Sequence, residues 1–415
     1  MSLSKVFENE LQLTKTCFNM EMRGILIDQE YALTAKAYEQ TLVDKARANF
    51  LKDTGEEFRD SPKLLAKVFD ARGEPYPLTD KGNPSFKNDL LVRMDTPLTR
   101  IINEIRYYDK RVSTYYTPFL QKLGPDKRLR ANIQQAGTQT GRFSMSTPNL
   151  QNVPKEDDKE KAYYIRRCMK PAPGKVFVMM DYDQVEYRLL MDYARQMDVV
   201  EEIKRGGDVH QITADMLGVD RKLAKTVNFS ILYGVGQKAL SELLKIPVPE
   251  AVRLRAHYFH KLPQVRRFIR KVQDTAISRG FVYNWLGRKC HLVRRDLAYK
   301  MPNHLIQGGC ADIIKVAMNR IEQECGAKAG MLINVHDELL FEMHLDDLHL
   351  IPRIKEIMES VYLSDTGLKF TVGVEWSKKS WSWLDQEKDP PFAKKGLGDV
   401  REQIREGVYQ SAPGP

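Results

Sequence analysis

Four side chains that could bind a phosphorylated nucleotide recur at every fourth position between Arg221 and Gly234. Arg221 and Lys225 supply positive charge, and Phe229 and Tyr233 supply aromatic rings. In a helix this spacing places all four along one stripe, roughly 18 Å long at about 1.5 Å per residue. Cations neutralise phosphates and aromatic rings stack on bases, so the stripe has the chemistry of a nucleoside triphosphate site. An amphipathic helix with a solvated basic edge would show the same pattern.

Two carboxylates at predicted strand ends are the second candidate for chemistry. Asp181 follows the apolar run 176–180, and Asp337 lies within the segment 331–343 with Glu338 beside it. If the two strands are neighbours, both aspartates can bind the same pair of divalent ions, and hard carboxylate oxygens favour Mg²⁺. Two ions about 3.5–4 Å apart clamp the attacking and leaving oxygens of a phosphoryl transfer. The alternative is a strand-end aspartate that caps the next helix.

These side chains require elements that hold them in place. The run 176–180 is continuously apolar and indicates a buried strand, whereas 331–343 indicates a hairpin with acidic residues at its tip. No Gly or Asn, the residues usual in a tight turn, occupies that tip. Because local sequence rules tend to fail at functional sites, this exception favours a functional role for the tip. Residues 221–234 indicate a helix that packs on a core through its opposite side. That side carries the apolar residues Leu223, Ala224, Val227 and Ile231.

The composition is that of an ordinary globular protein with an excess of basic residues. A length of 415 residues suggests about two to three domains. The formal net charge of +10 suggests a polyanionic partner. The five cysteines include no C-x-x-C pair, which indicates free thiols in a reducing compartment rather than a disulfide framework or a zinc site. The sequence contains no apolar run of about 18 residues, so it predicts no membrane span.

Segments outside these motifs could also contact nucleic acid. The stretch 90–123 is helical, basic and rich in tyrosine, and a second basic run lies at 253–271. Both suit a nucleic-acid backbone, and solvated charged helix faces are the equal alternative. Asp28 and Glu30 have the spacing of metal-dependent exonucleases, but a helix N-cap explains them better. Residues 307–309 are predicted to begin a further helix.

Five blocks in a fixed order resemble the polymerase module of family A DNA polymerases, the type of bacterial DNA polymerase I and several phage replicases. The blocks are Asp181–Arg188 (motif A), Arg221–Gly234 (motif B), Val335–Leu339 (motif C), Thr140–Pro154 and Gln307–Ile314. The resemblance covers about residues 15–385. It implies an α+β right-hand fold with an antiparallel-sheet palm, helical fingers and a helical thumb.

The resemblance also implies a division of the chain. An N-terminal segment and thumb would span 1–125, and the fingers would span 201–280. The palm would be built from 126–200 and 281–386, on either side of the fingers. Residues 387–415 are predicted to form a flexible C-terminal tail.

Catalytic roles follow from the resemblance at matching positions. Asp181 and Asp337 would bind two Mg²⁺ ions, for which Mn²⁺ could substitute, and the Tyr182 carbonyl would assist. Glu338 would support the site without being a principal ligand. Lys225 would protonate the leaving pyrophosphate. The implied reaction is template-directed addition of dNTPs to a primer 3′-hydroxyl, with release of pyrophosphate, in DNA replication or repair.

Roles in substrate binding are implied in the same way. Arg221, Lys225 and His210 would hold the triphosphate. Phe229 would pack on the nucleotide sugar and base, and the absence of a tyrosine hydroxyl there implies discrimination against dideoxynucleotides. The remaining implied dNTP-site residues are Tyr182, Glu186 and Tyr233. Glu186 would block a ribose 2′-hydroxyl and hydrogen-bond Tyr233. Tyr233 would stack at the template position. The implied DNA-binding positions are Arg142, Gln151, Asn152, Asn303, Gln307 and His336.

The implied partners are primer–template DNA and dNTPs, with a separate exonuclease or processivity factor and no membrane. A monomer in the cytoplasm of a bacterium or phage-infected cell is expected. The two nuclease domains of the bacterial enzymes have no counterpart in this chain, so low fidelity is expected unless a partner proofreads. The segment between His210 and Arg221 is shorter than in the bacterial enzymes, and Tyr299 replaces an arginine. These departures indicate a compact, phage-like polymerase or a trimmed form of a longer one.

Two other functions fit the same fold. A relative could copy RNA templates, and nothing in the sequence excludes this, although Glu186 argues against ribonucleotide incorporation. A non-catalytic nucleic-acid clamp is the other alternative. A clamp would not need Asp181, Asp337, Arg221 and Lys225 together, so the sequence favours the polymerase.

Overall fold

The computed structural model describes residues 3–79, 81–155 and 161–388. Its α-helices are α1 (Leu3–Arg23), α2 (Gln29–Thr54), α3 (Pro62–Ala71), α4 (Asn88–Met94), α5 (Pro97–Lys110), α6 (Thr117–Gln121), α7 (Val185–Ala194), α8 (Met197–Lys204), α9 (Val209–Leu217), α10 (Arg221–Leu232), α11 (Gln237–Leu244), α12 (Val248–Lys261), α13 (Pro263–Arg279), α14 (Met301–Cys325) and α15 (Ile351–Ser360). The strands are β1 (Ile25–Leu26), β2 (Arg128–Leu129), β3 (Asn132–Gln134), β4 (Ser144–Ser146), β5 (Lys175–Tyr182), β6 (Phe281–Tyr283), β7 (Lys289–His291), β8 (Met331–Val335), β9 (Glu338–His344), β10 (Val372–Ser377) and β11 (Glu387–Lys388). Helices predominate around a small sheet, which confirms the predicted α+β class.

A five-stranded antiparallel sheet lies at the centre, in the order β11-β10-β5-β9-β8. The predicted strand at 176–180 is its middle strand β5, and the predicted hairpin at 331–343 is the pair β8–β9. Strands β5 and β9 are therefore neighbours, which is the condition for the two aspartates to meet. The last strand, β11, lies inside the predicted tail, and residues 389–415 of that tail lie outside the described residues.

Both faces of the sheet are covered, which explains why β5 is continuously apolar rather than alternating. Val176, Val178 and Met180 face one hydrophobic cluster that includes residues of α7 and α14. Phe177 and Met179 face a second cluster, which includes β1, α6 and Trp381. Asp181 follows Phe177 and Met179 on the second face, because successive strand residues alternate sides.

The N-terminal helices form a separate core. Phe50 of α2, Phe69 of α3 and Ile102 of α5 are buried in one hydrophobic cluster. A π-helical turn that begins at Arg111 continues α5. Arg111 forms a buried ion pair with Glu39, with an Nη2–Oε1 distance of 2.6 Å. This pair ties the predicted helical arm to α2. No described helix combines the length and hydrophobicity that a membrane span requires.

Helix α14 begins earlier than the sequence predicted. The expected start was 307–309, but the helix starts at Met301, where Pro302 occupies the first turn. Gly308 and Gly309 instead lie inside the helix at close contacts. A side chain at 308 would lie 2.9 Å from the Thr140 carbonyl oxygen, and one at 309 would lie 2.7 Å from Leu189. These glycines permit close packing of α14 and do not mark its start.

Several local predictions are confirmed. Asp28 is the N-cap of α2 and accepts a hydrogen bond from the Tyr31 amide at 3.1 Å. All five cysteines are buried and none forms a disulfide.

Candidate functional site

The hairpin β8–β9 carries Asp337 to the end of β5. Asp181 is the register partner of Glu338, and the Tyr182 amide donates to the Asp337 carbonyl oxygen at 3.2 Å. His336 adopts a left-handed φ of 56° in the two-residue turn. The buried Asn334 side chain donates to the carbonyls of His336 and Glu338 at 3.0 and 3.2 Å. Asn334 therefore stabilises a turn that has neither Gly nor Asn at its tip.

The three acidic side chains at this sheet edge repel one another. Partial burial and the charges of Glu338 and Asp337 raise the pKa of Asp181 to about 7. Burial and the charge of Glu186 raise the pKa of Asp337 to about 6, against the opposing effect of Arg142. Both carboxyls therefore lie in surroundings that disfavour their charged form unless a cation compensates.

Glu338 is held differently from the two aspartates. Its Oε1 accepts a hydrogen bond from Trp381 Nε1 at 3.1 Å. The Trp381 ring in turn lies under the Arg166 guanidinium, with 4.0 Å between the Arg166 Cζ and the ring centroid. Because this contact engages one oxygen of Glu338, the residue is suited to support the edge rather than to be a main ligand.

The aspartates meet the requirements of a hard divalent cation. The Asp337 Oδ1 atom is buried and has no hydrogen-bond partner in the described part of the chain, and an orphaned carboxylate oxygen is a natural metal ligand. Among the described residues, no three His, Cys, Asp or Glu side chains cluster as a metal cage. Two carboxylates without a third side-chain ligand could hold a hard divalent ion whose other ligands are waters or a bound anion.

Helix α10 presents the predicted stripe to solvent. Arg221, Lys225, Phe229 and Tyr233 are all exposed, while the predicted opposite side of the helix is buried or half-buried. The rings of Phe229 and Tyr233 are nearly parallel, at an angle of 22° with 5.9 Å between centroids. Their exposure, 36% and 40%, leaves aromatic surface free for a base or sugar.

Arg221 is already paired in this structure. Its Nε and Nη2 atoms donate to the two oxygens of Asp208 at 2.9 and 2.8 Å. Asp208 also caps α9, and the Gln184 side chain donates to it at 3.1 Å. Chiefly through the hydrogen bond with Arg221, the pKa of Asp208 lies well below its usual range. Any anion that binds Arg221 would therefore have to share or replace this carboxylate as its partner.

His210 belongs to a buried hydrogen-bond network beneath the stripe. Its Nδ1 lies 3.1 Å from the Asn228 amide nitrogen, which also donates to Thr213 Oγ1 at 3.0 Å. Thr213 Oγ1 in turn lies 3.1 Å from the Tyr187 hydroxyl. Burial lowers the pKa of His210, so the ring is neutral at pH 7. With Nδ1 accepting from Asn228, Nε2 carries the proton and can donate to a phosphate oxygen.

Glu186 joins the sheet edge to the end of α10. One oxygen accepts from Arg142 Nη2, and the other accepts a long hydrogen bond of 3.4 Å from the Tyr233 hydroxyl. The hydrogen bond between Glu186 and Tyr233 that the sequence implied is thus present. The carboxylate lies between the stripe and Asp337, in the wall of one cleft.

Four of the six implied DNA-contacting residues fall into two groups. Gln151 and Asn152 line the cleft at the sheet edge, and Gln151 Nε2 donates to the Asn334 carbonyl at 3.1 Å. Asn303 and Gln307 lie on α14 outside both clefts. The Asn303 Nδ2 atom is buried without a partner in the described part of the chain, so it retains an unused donor.

Two clefts meet at the hairpin tip. The stripe cleft, of about 290 Å³, is lined by Arg142, Glu186, His210, Phe229, Tyr233, His336 and Asp337, among others. The carboxylate cleft, of about 430 Å³, is lined by Gln151, Asn152, Asp181, His336, Asp337 and Glu338, among others. His336 and Asp337 belong to both, so most predicted residues converge on one continuous region. Arg221 and Lys225 lie further along the exposed face of α10.

Sequence reasoning missed several residues that complete the site. Asp208, Asn228 and Trp381 act by contacting predicted residues across long sequence separations. Arg166 and Lys155 line the carboxylate cleft. The position of Asp208 two residues before His210 was a signal in the sequence that could have drawn attention to it.

Comparison with known proteins identifies a matching family and several relatives of this chain. The family model for DNA polymerase family A matches residues 30–383. DNA polymerase I of Deinococcus radiodurans is 33% identical over 396 residues, which cover 88% of this chain and 41% of that protein. The thermostable DNA polymerase I of Thermus aquaticus is 32% identical over 401 residues, covering 88% of this chain and 47% of that protein. The chain thus spans less than half the length of these relatives.

A solved structure shows the same fold. It is described as the POL domain of Pol1 from M. smegmatis in complex with DNA primer–template and dNTP. The two folds superpose with a TM-score of 0.82 at 27% sequence identity, covering 90% of this chain and 70% of that one.

Proposed function

This chain belongs to DNA polymerase family A, and we propose that it extends a DNA primer by template-directed addition of dNTPs. The observation that carries the proposal is the convergence of Asp181 and Asp337 beside the exposed stripe of α10. A pair of carboxylates at one end of a cation-and-aromatic stripe matches a nucleotide whose phosphates must be neutralised while its base stacks. Structural likeness to a domain bound to primer–template and dNTP supports it.

Asp181, Asp337 and the Tyr182 carbonyl would hold two Mg²⁺ ions, and Mn²⁺ could substitute. Such ions lower the pKa of a 3′-hydroxyl and neutralise the departing pyrophosphate when bound. The protein fixes the aspartates through strand pairing and keeps Glu338 on Trp381. Lys225, exposed on α10 and four residues from Arg221, would give a proton to the pyrophosphate as it leaves.

The dNTP would lie along α10. Arg221, Lys225 and the Nε2–H of His210 would contact the triphosphate, and Phe229 would pack on the sugar and base. Glu186 would crowd a ribose 2′-hydroxyl, and Tyr233 would occupy the template position. At the primer end, Arg142, Gln307 and His336 would contact the minor groove, where all base pairs offer similar acceptors. Gln151, Asn152 and Asn303 would add further DNA contacts.

The division into parts follows the same proposal. Residues 1–125 would form the N-terminal segment and thumb, 201–280 the fingers, and 126–200 with 281–386 the palm.

The partners would be primer–template DNA, dNTPs and a separate exonuclease or processivity factor, with the chain acting as a monomer. The cytoplasm of a bacterium or phage-infected cell would be the location, which the bacterial relatives support.

The test is primer extension on a primed DNA template with Mg²⁺ and four dNTPs. We expect extension by the wild type and its loss in Asp337→Asn, by about a thousandfold or more, because an amide cannot supply the anionic ligand. Circular dichroism would check that the variant folds. A folded wild type that does not extend the primer, with Mg²⁺ or Mn²⁺, would overturn the proposal. An RNA template in place of DNA tests the reverse-transcribing alternative, and binding without extension would favour the clamp.

A further inference from the structure

Helix α13 carries an unusually basic surface away from the two clefts. Arg266, Arg267, Arg270, Lys271 and Arg279 are exposed, and Asp274 is the only acid on the helix. Within the described residues, none of these five cations forms an ion pair, whereas many other arginines of the chain do. Unpaired cations concentrated on one helix are the electrostatic feature of a polyanion-binding surface.

A groove runs beside this surface. It has a volume of about 1040 Å³. Helix α13 lines it with Arg267, Lys271, Thr275 and Arg279, which are spaced four residues apart. This spacing lines the side chains along the groove. The groove is also lined by aromatic and apolar side chains, namely Tyr193, Tyr283, Trp285, Tyr362 and Leu363 from other parts of the chain and Phe268 from α13 itself. Tyr283 is 48% exposed and Leu363 is 87% exposed, which leaves apolar surface open to a ligand.

We propose that this groove, the α13 groove, binds single-stranded nucleic acid. A row of cations that follows a phosphate backbone, combined with aromatic faces on which bases stack, is how proteins bind unpaired strands without reading sequence. Duplex DNA fits less well, because its stacked bases cannot reach Tyr283 or Trp285. An acidic peptide would satisfy the cations but would leave the aromatic faces without a stacking partner.

The groove adjoins the proposed active site through shared helices. Helix α7 carries Glu186 near its start, in the stripe cleft, and Tyr193 near its end, in the α13 groove. The two residues are roughly 10 Å apart along the helix axis, at about 1.5 Å per residue. Trp285 is fixed on the same framework, since its amide donates to the Tyr193 hydroxyl at 3.0 Å and its Nε1 donates to the Gly309 carbonyl at 2.8 Å. The unpaired template strand ahead of the primer terminus could therefore lie in the groove before it is copied.

Binding to the groove itself does not depend on catalysis, but the identity of the strand rests on the proposed function. The first experiment therefore measures binding of a fluorescent oligo-dT of about 15 nucleotides without dNTP or primer. The variant is Arg267→Gln/Lys271→Gln. The matched control is Lys15→Gln/Lys328→Gln, which removes the same charge from two exposed lysines that form no ion pair in the described residues.

We expect the α13 variant to bind oligo-dT about tenfold more weakly at low salt and to reduce the salt slope by about 1.4, at roughly 0.7 per lost phosphate contact. The control should lose less than twofold. Tyr283→Ala should weaken binding by about fivefold or more without changing the salt slope, because a base loses its stacking surface. Equal loss in the variant and the control would overturn the proposal. Competition by polyglutamate as effective as by unlabelled oligo-dT would overturn it in favour of an acidic partner.

The second experiment compares primer–templates with 5′ template overhangs of about 2 and about 15 nucleotides. The wild type should bind the long overhang more tightly, and Arg267→Gln/Lys271→Gln should lose only that gain. If the variant loses oligo-dT binding but keeps the overhang gain, the template strand is not the ligand, and the strand assignment fails. Because the oligo-dT measurement needs no polymerase activity, it still tests the groove if the proposed function is wrong.

Discussion

Asp181 and Glu338 face each other across β5 and β9, and one residue along, the Tyr182 amide donates to the Asp337 carbonyl at 3.2 Å. Backbone pairing alone therefore brings the end of one strand to the tip of a distant hairpin. Because the side chains take no part in this pairing, carboxylates can be changed to amides without moving the edge. Each acid can thus be tested separately for charge.

Asp181→Asn should make the metal-free protein more resistant to heat at pH 8. The pKa of Asp181 is raised to about 7, so the folded state binds its proton more tightly than the unfolded state does. This residue therefore lowers the free energy of unfolding progressively as pH rises from about 4 to about 7, and the loss is complete above that range. An asparagine carries no such penalty. Primer extension should be lost in the same variant.

The measurement is the melting temperature of both proteins in EDTA between pH 4 and pH 8. The advantage of Asp181→Asn should be smallest at pH 4 and should grow to a plateau near pH 8. Added Mg²⁺ should raise the melting temperature of the wild type and have less effect on the variant. An advantage that does not change with pH would show that the charge of Asp181 is not the cause.

Glu186→Ala should relax discrimination between dNTPs and ribonucleotides by about tenfold or more, which corresponds to about 1.4 kcal/mol. The carboxylate lies between Arg142 and Tyr233 in the wall of the stripe cleft, where it would crowd a 2′-hydroxyl. Glu186→Gln is the matched control because it keeps the volume and removes the charge. The ratio of kcat/KM for dNTP and ribonucleotide measures the effect. If both variants relax discrimination equally, charge rather than volume is responsible.

Much of this site could be predicted because it depends on local patterns. The apolar run that ends at Asp181, the acidic hairpin tip and the four-residue spacing on α10 each follow from short segments of sequence. The pairs Arg221–Asp208 and Glu186–Arg142 could not be predicted, since each depends on how separate elements pack. The start of α14 was wrong for a related reason. Gly308 and Gly309 resemble a helix boundary, but close contact with Thr140 and Leu189 explains them.

Phe229→Tyr should improve incorporation of dideoxynucleotides relative to dNTPs by about tenfold or more. Phe229 is exposed beside Tyr233 and has no hydroxyl, so nothing on this ring replaces a missing 3′-hydroxyl. A tyrosine would supply that hydrogen bond. Competition between a ddNTP and its dNTP during primer extension gives the ratio. Incorporation of ordinary dNTPs should stay within twofold, and an unchanged ratio would show that Phe229 does not contact the sugar.

Asn228→Ala should reduce the free energy of unfolding by about 1–3 kcal/mol, because it leaves buried polar partners unsatisfied. Asn228 is 2% exposed and connects His210 to Thr213. Loss of this contact also frees the His210 ring, so KM for dNTP should rise more than kcat falls. Urea unfolding and steady-state kinetics measure the two effects. Thr213→Val is the comparison, because it disturbs the network without touching His210, and it should lower stability with little change in KM.

Asp208→Asn should lower KM for dNTP by about twofold to fivefold, the range expected for an exposed ion pair, with kcat unchanged. Asp208 holds Arg221 through two hydrogen bonds of 2.9 and 2.8 Å, and a triphosphate bound as proposed would compete with it. Asparagine can still cap α9, so the helix should remain intact while the competing charge disappears. Arg221→Gln should raise KM in either background. If Asp208→Asn instead raises KM, the carboxylate orients Arg221 for the phosphate. The prediction that Asp208 competes with the triphosphate for Arg221 would then be wrong.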